Sequence, residues 1–223
     1  MEHEPDSPIL AQIAARLRAY PPAPAQPEPE PGRREAAVLL ALTRAREPEV
    51  VFIKRAEHLN SHRGQVAFPG GMWEAGDASL LDTALRESEE EVALPRNRVE
   101  VIARLPRRAT RTGTPVTPYL GVVPGDVPLR HDPSELDAVF RVPLEYLLQQ
   151  RHLVSGEFEV LDGCYEMPCY HYGAYRIWGF TLNVLIHFLN TALDARLGFA
   201  YLHDRLPAHL RAHLIELEEE YSP

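Results

Sequence analysis

Only two cysteines, Cys164 and Cys169, occur in the 223 residues, so a disulfide scaffold is excluded as the basis of stability. No apolar run approaches the roughly 20 residues needed to cross a bilayer, and no membrane-spanning helix is expected. Positive charge is also scarce: 23 Lys and Arg stand against 32 Asp and Glu, a formal charge of −9. A field of that sign repels phosphate polyanions, which argues against general binding to nucleic acid or an anionic membrane. Any anionic substrate therefore needs a local cationic device. No charged-then-apolar leader opens the sequence, and a cytoplasmic location is expected. Internal repeats are missing as well, which excludes solenoids. What is present is ordinary, 45% hydrophobic and 25% charged residues, the usage of one domain with extensions and a sizeable core.

Proline, in contrast, is plentiful and clustered. The stretch PPAPAQPEPEPG at residues 21–32 lacks the donors and apolar residues of regular structure and reads as an extended polyproline-like linker. Before it, Ile9, Leu10, Ile13, Leu17 and Tyr20 recur at helical spacing behind Asp6 or Ser7 as cap, which predicts an amphipathic helix over residues 7–20. The expected organisation is an N-terminal helix (1–20), a linker (21–34), a main domain (35–195) and a C-terminal helical extension (196–223) with an amphipathic helix over 206–221.

Within the main domain, apolar runs at 36–42 and 50–54 suit two buried strands of a hairpin. Pro69-Gly70-Gly71 marks a sharp turn. Further strands are expected at 99–105, 116–123 and 138–142, extended segments at 157–161 and 175–180, a short helix at 143–148 and a core helix at 181–193. This is the pattern of the α/β class, a mixed sheet flanked by helices.

The segment after the turn carries the chemistry. Ser79 can cap a helix starting at Leu80, with Asp82 in its first turn where the macrodipole favours negative charge. Leu81, Ala84, Leu85, Ser88 and Val92 then fall on one face, as packing onto a sheet requires. Glu87, Glu90 and Glu91 stand three and four residues apart and are expected to converge, whereas Glu89 projects away. Left empty, such a face is costly, because like charges repel and the C-terminal half of the dipole disfavours them. A divalent cation reverses both penalties, and oxygen ligands suit Mg²⁺ or Mn²⁺. For an isolated EEE run a solvated acidic face is the commoner outcome, so the surroundings decide.

From Gly70 onward, GGMWEAGDASLLDTALRESEEEVAL resembles the Nudix box, the loop-helix-loop of hydrolases that act on nucleoside diphosphates linked to another group. The resemblance implies a Nudix-type α/β/α sandwich with a central mixed β-sheet. It also implies that Glu87, Glu90 and Glu91 bind the metal, that the carbonyl of Gly71 joins them, and that Arg86 orients the carboxylates or helps with phosphate. Two positions depart from the family pattern: Asp77 stands where the box carries Glu, and Ala93 where it carries Gly. Eight residues separate Asp77 from Arg86, one more than usual, which leaves Asp77 the role of bracing the loop.

Upstream, Val50-Val51-Phe52-Ile53-Lys54-Arg55-Ala56 and Gly64-Gln65-Val66-Ala67-Phe68-Pro69-Gly70-Gly71 look like the coenzyme A pyrophosphatase subfamily. Its pattern carries an arginine (Arg55 here), a small residue (Ala56), and a second arginine four residues on, where this chain has Asn60. Residues 133–144 and 175–181 extend the likeness. The activity implied is hydrolysis of coenzyme A or acyl-CoA to 3′,5′-ADP and (acyl-)phosphopantetheine. Alternatives are a Nudix hydrolase of ADP-ribose, NADH or dinucleoside polyphosphates, or a nucleotide-sensing module without turnover. The expected partner is thus a small CoA-like nucleotide, with a homodimer admissible and no role for nucleic acid or membrane. Arg55, Asn60 and Arg63 are the candidate substrate contacts, with Arg111 added from the dense set Arg104, Arg107, Arg108 and Arg111. For the proton acceptor in the reaction, Glu90 competes with Glu135 or Asp137 from a downstream loop. Cys164, Cys169 and His171 lack a fourth ligand at suitable spacing and do not make a zinc site.

If the subfamily arginine at position 60 reads the 3′-phosphate of the coenzyme, this protein should discriminate weakly between coenzyme A and 3′-dephospho-coenzyme A. A charge-assisted contact is worth about 1.5–3 kcal/mol, so Asn60→Arg should restore roughly tenfold preference, mainly through KM. Steady-state kinetics of both proteins on both substrates provides the check. An unchanged ratio would rule out position 60 as the phosphate reader.

Overall fold

The computed structural model describes residues 7–19, 34–59, 63–160 and 163–198. Most of the proline-rich linker, Asn60 and the helix expected over 206–221 lie outside the described residues. In chain order the elements are α1 (Pro8–Ala19), β1 (Ala36–Arg44), β2 (Glu49–Arg55), β3 (Val66–Ala67), β4 (Gly70–Met72) and α2 (Leu80–Val92). Next come β5 (Glu100–Arg104), β6 (Arg108–Ala109), β7 (Pro115–Pro124), β8 (Leu136–Pro143) and α3 (Leu144–Leu147). A three-stranded antiparallel meander, β9 (Leu153–Val160), β10 (Gly163–Tyr172) and β11 (Tyr175–Trp178), leads into α4 (Gly179–Leu193).

The main sheet is mixed, in the order β3-β2-β1-β7-β5, with β4 added to β1, β6 to β7 and β8 to β2. Its centre is the parallel pair β1 and β7, in register from Ala36 opposite Val116 to Arg44 opposite Pro124. Side chains alternate across it with period two. On β1 and β2, Leu40, Leu42, Val50 and Phe52 enter the core shared with α1 and α4. Ala37, Leu39, Ala41, Val51 and Ile53 face the opposite way, onto Leu80, Ala84 and Val92 of α2. Because both faces are covered, these strands read as unbroken apolar runs, and the α/β/α sandwich expected from the sequence is the fold found. Helix α4 is apolar almost all round because it lies between the sheet and α1, burying Leu182, Leu185, Ile186, Phe188 and Leu189.

Three expectations are refined by the structure. The hairpin of β1 and β2 is antiparallel as anticipated, but the only matched pair is Leu42 with Val50, since the long partner of β1 is β7. The strand β10 was not anticipated: its sequence GCYEMPCYHY carries a proline and no clean alternation, and only pairing with β9 and β11 makes it extended. Similarly, the extended segment expected over 175–180 ends at Trp178, and the helix begins two residues earlier than its apolar pattern suggests.

Helix α2 starts as the sequence requires, with the Ser79 hydroxyl accepting the Asp82 N–H. It stops at Ala93, which sits at φ 55°, ψ 32° while its own N–H and that of Leu94 reach the Ser88 carbonyl. Left-handed backbone costs an L-residue roughly 1–2 kcal/mol, which explains why glycine is the usual occupant of such a cap. Ala93→Gly is therefore expected to raise stability by about 0.5–1 kcal/mol, after the added unfolded-state entropy of glycine is deducted. Urea denaturation at neutral pH measures it, and an equal loss of stability would overturn the reading.

Candidate active site

The sheet is split at the site. Strand β1 pairs with β2 only at its far end, while its start (Ala36, Ala37, Val38) pairs with Met72, Gly71 and Gly70 of β4. Short β3 meanwhile follows β2, so the Phe68-Pro69 link crosses from one strand to the other, held by the Leu39 N–H on the Pro69 carbonyl at 2.8 Å. Of the two glycines after it, Gly70 is obligatory. At Gly70, φ is 149° and a Cβ would lie 2.3 Å from the Ala37 carbonyl oxygen. At Gly71 the obstacle is the active face itself, since a Cβ would stand 2.4 Å from the Glu87 carboxylate carbon. The backbone is thus drawn against the acidic helix as closely as a missing side chain allows.

Arg86 organises that helix. Its Nε donates to Asp77 Oδ1 at 2.7 Å and its Nη2 to Asp77 Oδ2 at 3.0 Å, a two-pronged contact. The same Nη2 reaches the Met72 carbonyl at 3.1 Å, and Nη1 lies 3.0 Å from both Glu87 Oε1 and Glu90 Oε2. Asp77, buried, also accepts the Thr83 hydroxyl and the Glu74 N–H. The Arg86 guanidinium holds the Asp77 carboxyl down at about 2, against the opposing effect of burial. Asp77 therefore braces the loop between β4 and α2.

The three glutamates do not converge as their spacing suggested: among the described residues no closed donor cage is formed. Arg86 stands between Glu87 and Glu90, and this positive charge offsets the repulsion that an acidic face would otherwise suffer. Glu91 turns inward. It is 5% exposed, so it belongs to the buried stripe with Ala84 and Ser88 rather than to an open helix face. Its Oε2 accepts the Gly70 N–H at 3.0 Å and its Oε1 lies 3.6 Å from Arg55 Nη1. Burial pushes its carboxyl up to about 7, the Gly70 N–H opposing and the nearby charges of Glu87 and Glu135 adding to the rise. Burial likewise raises Glu87, with Arg86 opposing. A half-buried and a buried carboxylate beside an exposed one, drawn up against Gly71, form an oxygen-rich wall whose positive partners are Arg86 and Arg55. Hard oxygen donors of this kind fit Mg²⁺ or Mn²⁺, and Glu87, Glu90, Glu91 and the Gly71 carbonyl are the groups available to hold one.

Around this wall the remaining residues divide. Arg55, at the end of β2, reaches Glu91 and shares the site. Glu135, exposed in the loop before β8, is close enough to influence Glu91, and its carboxylate has no ion pair among the described residues. Asp137, in contrast, is bound to Lys54 at 3.0 Å. Arg63 is exposed in the loop between β2 and β3, and Arg111 is exposed in the turn between β6 and β7. The arginine-rich connection is less available than its composition suggested: Arg107 pairs with buried Glu35 at 2.9 Å, and Arg108 Nη2 lies 3.0 Å from His187 Nδ1. Neither partner was visible in the sequence, since each lies dozens of residues away. Burial, with Arg108 assisting, holds His187 down at about 3, so this imidazole is neutral at physiological pH.

A model of the NUDIX domain family matches residues 32–163, more than half of the chain. Curated relatives from Salmonella paratyphi B and Salmonella newport, each described as an uncharacterized Nudix hydrolase NudL, are 43% identical over 159 residues. Those alignments span 69% of this chain and 80% of the relatives. The chain belongs to the Nudix family. It is a Nudix hydrolase, an enzyme class that generally uses divalent metal ions. Among solved structures, a MutT/nudix family protein from Enterococcus faecalis shares the fold, with TM-score 0.50 and 21% identity over 83% of this chain and 70% of that one. No helix among the described residues is long and apolar enough to cross a membrane.

The depressed Asp77 carboxyl has a consequence for acid stability. A carboxylate whose folded value (about 2) lies below its ordinary 3.8 adds stability that is complete above the ordinary value and lost as pH falls toward 2. With the side chain almost fully buried, the shift corresponds to about 2 kcal/mol. Asp77→Asn should therefore be less stable by about that amount at pH 6 and should lose less additional stability between pH 4 and pH 2. Urea midpoints across that range measure it; parallel curves for the two proteins would contradict the Arg86–Asp77 assignment.

Proposed function

We propose that this enzyme hydrolyses the diphosphate bond of coenzyme A or acyl-CoA, giving 3′,5′-ADP and (acyl-)phosphopantetheine, with Mg²⁺ or Mn²⁺ as cofactor. The observation that carries the site is the wall formed by Glu87, Glu90 and buried Glu91 beside Gly71, whose carboxylates, with Asp77, outnumber the two arginines, Arg86 and Arg55, that contact them. The substrate class rests on the run from Val50 to Gly71, whose likeness is to the coenzyme A pyrophosphatases. The relatives' 43% identity over 159 residues supports the hydrolytic reading without specifying a substrate.

When bound, the divalent cation supplies charge neutralisation at the diphosphate and acidifies a water at the attacked phosphorus. The protein's own contribution is positional and electrostatic. Arg86, fixed by Asp77 and the Met72 carbonyl, holds Glu87 and Glu90 at set distances. Glu91 is fixed by the Gly70 N–H, so its carboxylate loses little entropy on engaging a ligand. Glu135 is the proton acceptor this reading favours: Glu90 is engaged by Arg86 and Asp137 by Lys54. Arg55, Arg63 and Arg111 supply positive charge for substrate phosphates in a chain that otherwise repels them. Position 60, where the subfamily has arginine, favours a second reading, hydrolysis of another nucleotide conjugate such as ADP-ribose, NADH or a dinucleoside polyphosphate.

Product analysis with coenzyme A, ADP-ribose, NADH and diadenosine polyphosphates, each with Mg²⁺ and Mn²⁺, tests the assignment; coenzyme A should have the highest kcat/KM. A preference for any other member replaces the substrate, and no turnover on any defeats the reading. Glu90→Gln and Glu91→Gln should each lower kcat by orders of magnitude. They should differ in stability: Glu91→Gln removes a buried charge and, without metal, should be at least as stable as wild type, whereas Glu90→Gln loses an exposed Arg86 pair worth under about 1 kcal/mol. Near-native turnover in either variant at saturating metal and substrate would defeat the proposed ligand set.

A further inference from the structure

Two arginines face the glutamates, and they are held in different ways. Arg86 is fixed by hydrogen bonds to Asp77, Glu87, Glu90 and the Met72 carbonyl. Among the described residues, the Arg55 guanidinium has one ionic partner: its Nη1 stands 3.6 Å from Glu91 Oε1, beyond good hydrogen-bonding distance. Its Nε is buried with no acceptor. A buried donor left without an acceptor carries a desolvation cost, so Arg55 neutralises Glu91 without being fitted to it.

The backbone that carries Arg55 is, in contrast, firmly set. Strands β2 and β8 shift register between Lys54 and Arg55, and irregularities of this kind re-aim side chains. The Arg55 N–H donates to the Gln65 carbonyl at 3.0 Å, the Arg55 carbonyl accepts the Gly64 N–H at 3.1 Å, and the next N–H, of Ala56, donates to the Glu135 carbonyl at 2.9 Å. Freedom of movement at this position therefore lies in the side chain.

Glu91 has little freedom to match it. Its Oε2 is committed to the Gly70 N–H at 3.0 Å, so Oε1, the oxygen facing Arg55, is the atom best placed to serve a cation. The Glu91 side chain is 4% exposed against 30% for Arg55, so the guanidinium can turn toward solvent where the carboxylate cannot. A buried carboxylate stripped of its positive partner is strongly destabilising, whereas a guanidinium and a divalent cation set against the same oxygen repel each other. The contact thus satisfies the empty site and obstructs the filled one. The same side chain is also needed at the substrate phosphates.

We propose that Arg55 is an exchangeable counter-ion: it neutralises Glu91 while the site is empty, yields Oε1 when the glutamates take up a divalent cation, and then turns its guanidinium to the substrate diphosphate. This rests on the ligand set and the phosphate role assigned above. Its consequence is coupling. Cation and diphosphate each bind more tightly in the presence of the other, and by the same factor, because one releases the side chain that the other recruits. Arg86 has no such freedom, since its donors are already shared among four partners.

The test uses the full chain, with Mg²⁺ or Mn²⁺ and the non-hydrolysable diphosphate methylenediphosphonate as probes. The Arg55 Nε–H resonance, identified by its loss in Arg55→Lys, should shift when Mg²⁺ alone is added. It should shift again, with slower hydrogen exchange, when methylenediphosphonate follows. A resonance indifferent to saturating Mg²⁺ overturns the proposal. By calorimetry, Arg55→Met should bind Mn²⁺ alone about tenfold more tightly than wild type, and the mutual enhancement between Mn²⁺ and methylenediphosphonate should shrink by a similar factor. Without metal this variant should melt below wild type, the gap closing in saturating Mn²⁺ as buried Glu91 regains a positive partner. Unchanged Mn²⁺ affinity with unchanged enhancement also overturns the exchange. Failure of the underlying ligand set looks different: Glu91→Gln would then bind Mn²⁺ as wild type does. If the exchange alone is wrong, Glu91→Gln loses Mn²⁺ affinity while the Arg55 resonance still ignores Mg²⁺.

Discussion

One guanidinium holds the candidate site together. Arg86 spends its five donors on a buried aspartate from the preceding loop, a carbonyl from β4, and two glutamates from its own helix. Strand, loop and helix meet at this one planar group. A lysine could supply the charge but not the fork, because its ammonium cannot span Asp77 on one side and Glu87 with Glu90 on the other. The arrangement also resolves an electrostatic problem: three glutamates near the negative end of a helix are tolerable when one permanent cation sits among them and a second can bind. Buried Asp77 keeps the first cation in place, and its short side chain suits the loop that brings it within reach.

Position follows from the divided sheet. Because β1 is shared between β2 and β4, the Phe68-Pro69-Gly70-Gly71 segment is threaded through the gap, and its glycines are pressed between the Ala37 carbonyl and the Glu87 carboxylate. The proposed metal-holding wall thus stands on a strand and a helix, whose backbone is fixed by pairing and packing. Arg63, Arg111 and Glu135, the residues proposed to meet the substrate, stand instead in the connections outside these elements.

Much of this was legible in the chain itself. The Ser79 cap and the Ala84, Ser88 and Val92 part of the α2 stripe are local features that local geometry delivers, whereas Leu81 and Leu85, expected on that stripe, are half-buried and Leu80 and Thr83 are buried instead. The covered strands β1 and β2 were equally readable from their unbroken apolar runs. Burial of Glu91 was encoded but overlooked: it follows Ala84 by seven residues and Ser88 by three, which places it on the sheet-facing stripe. The pairs Arg55–Glu91, Arg107–Glu35 and Arg108–His187 left no trace, because each joins segments distant in sequence and only the tertiary fold brings them together. The same reason hides β10, which has no strand pattern of its own and owes its extension to two neighbours.

The parallel pairing of β1 with β7 has a kinetic corollary. Residues 36–44 must wait for residues 116–124 before the centre of the sheet exists, and everything between them, including Gly71 and the whole of α2, is carried within that crossover. Closing so long a loop is entropically slow and is rewarded only when the strands dock. During synthesis, the acidic helix and the strands it chiefly packs on, β1 and β4, all emerge before β7, so a partial layer can form early. What comes late is the centre of the sheet behind that layer, which exists only once β7 docks on β1.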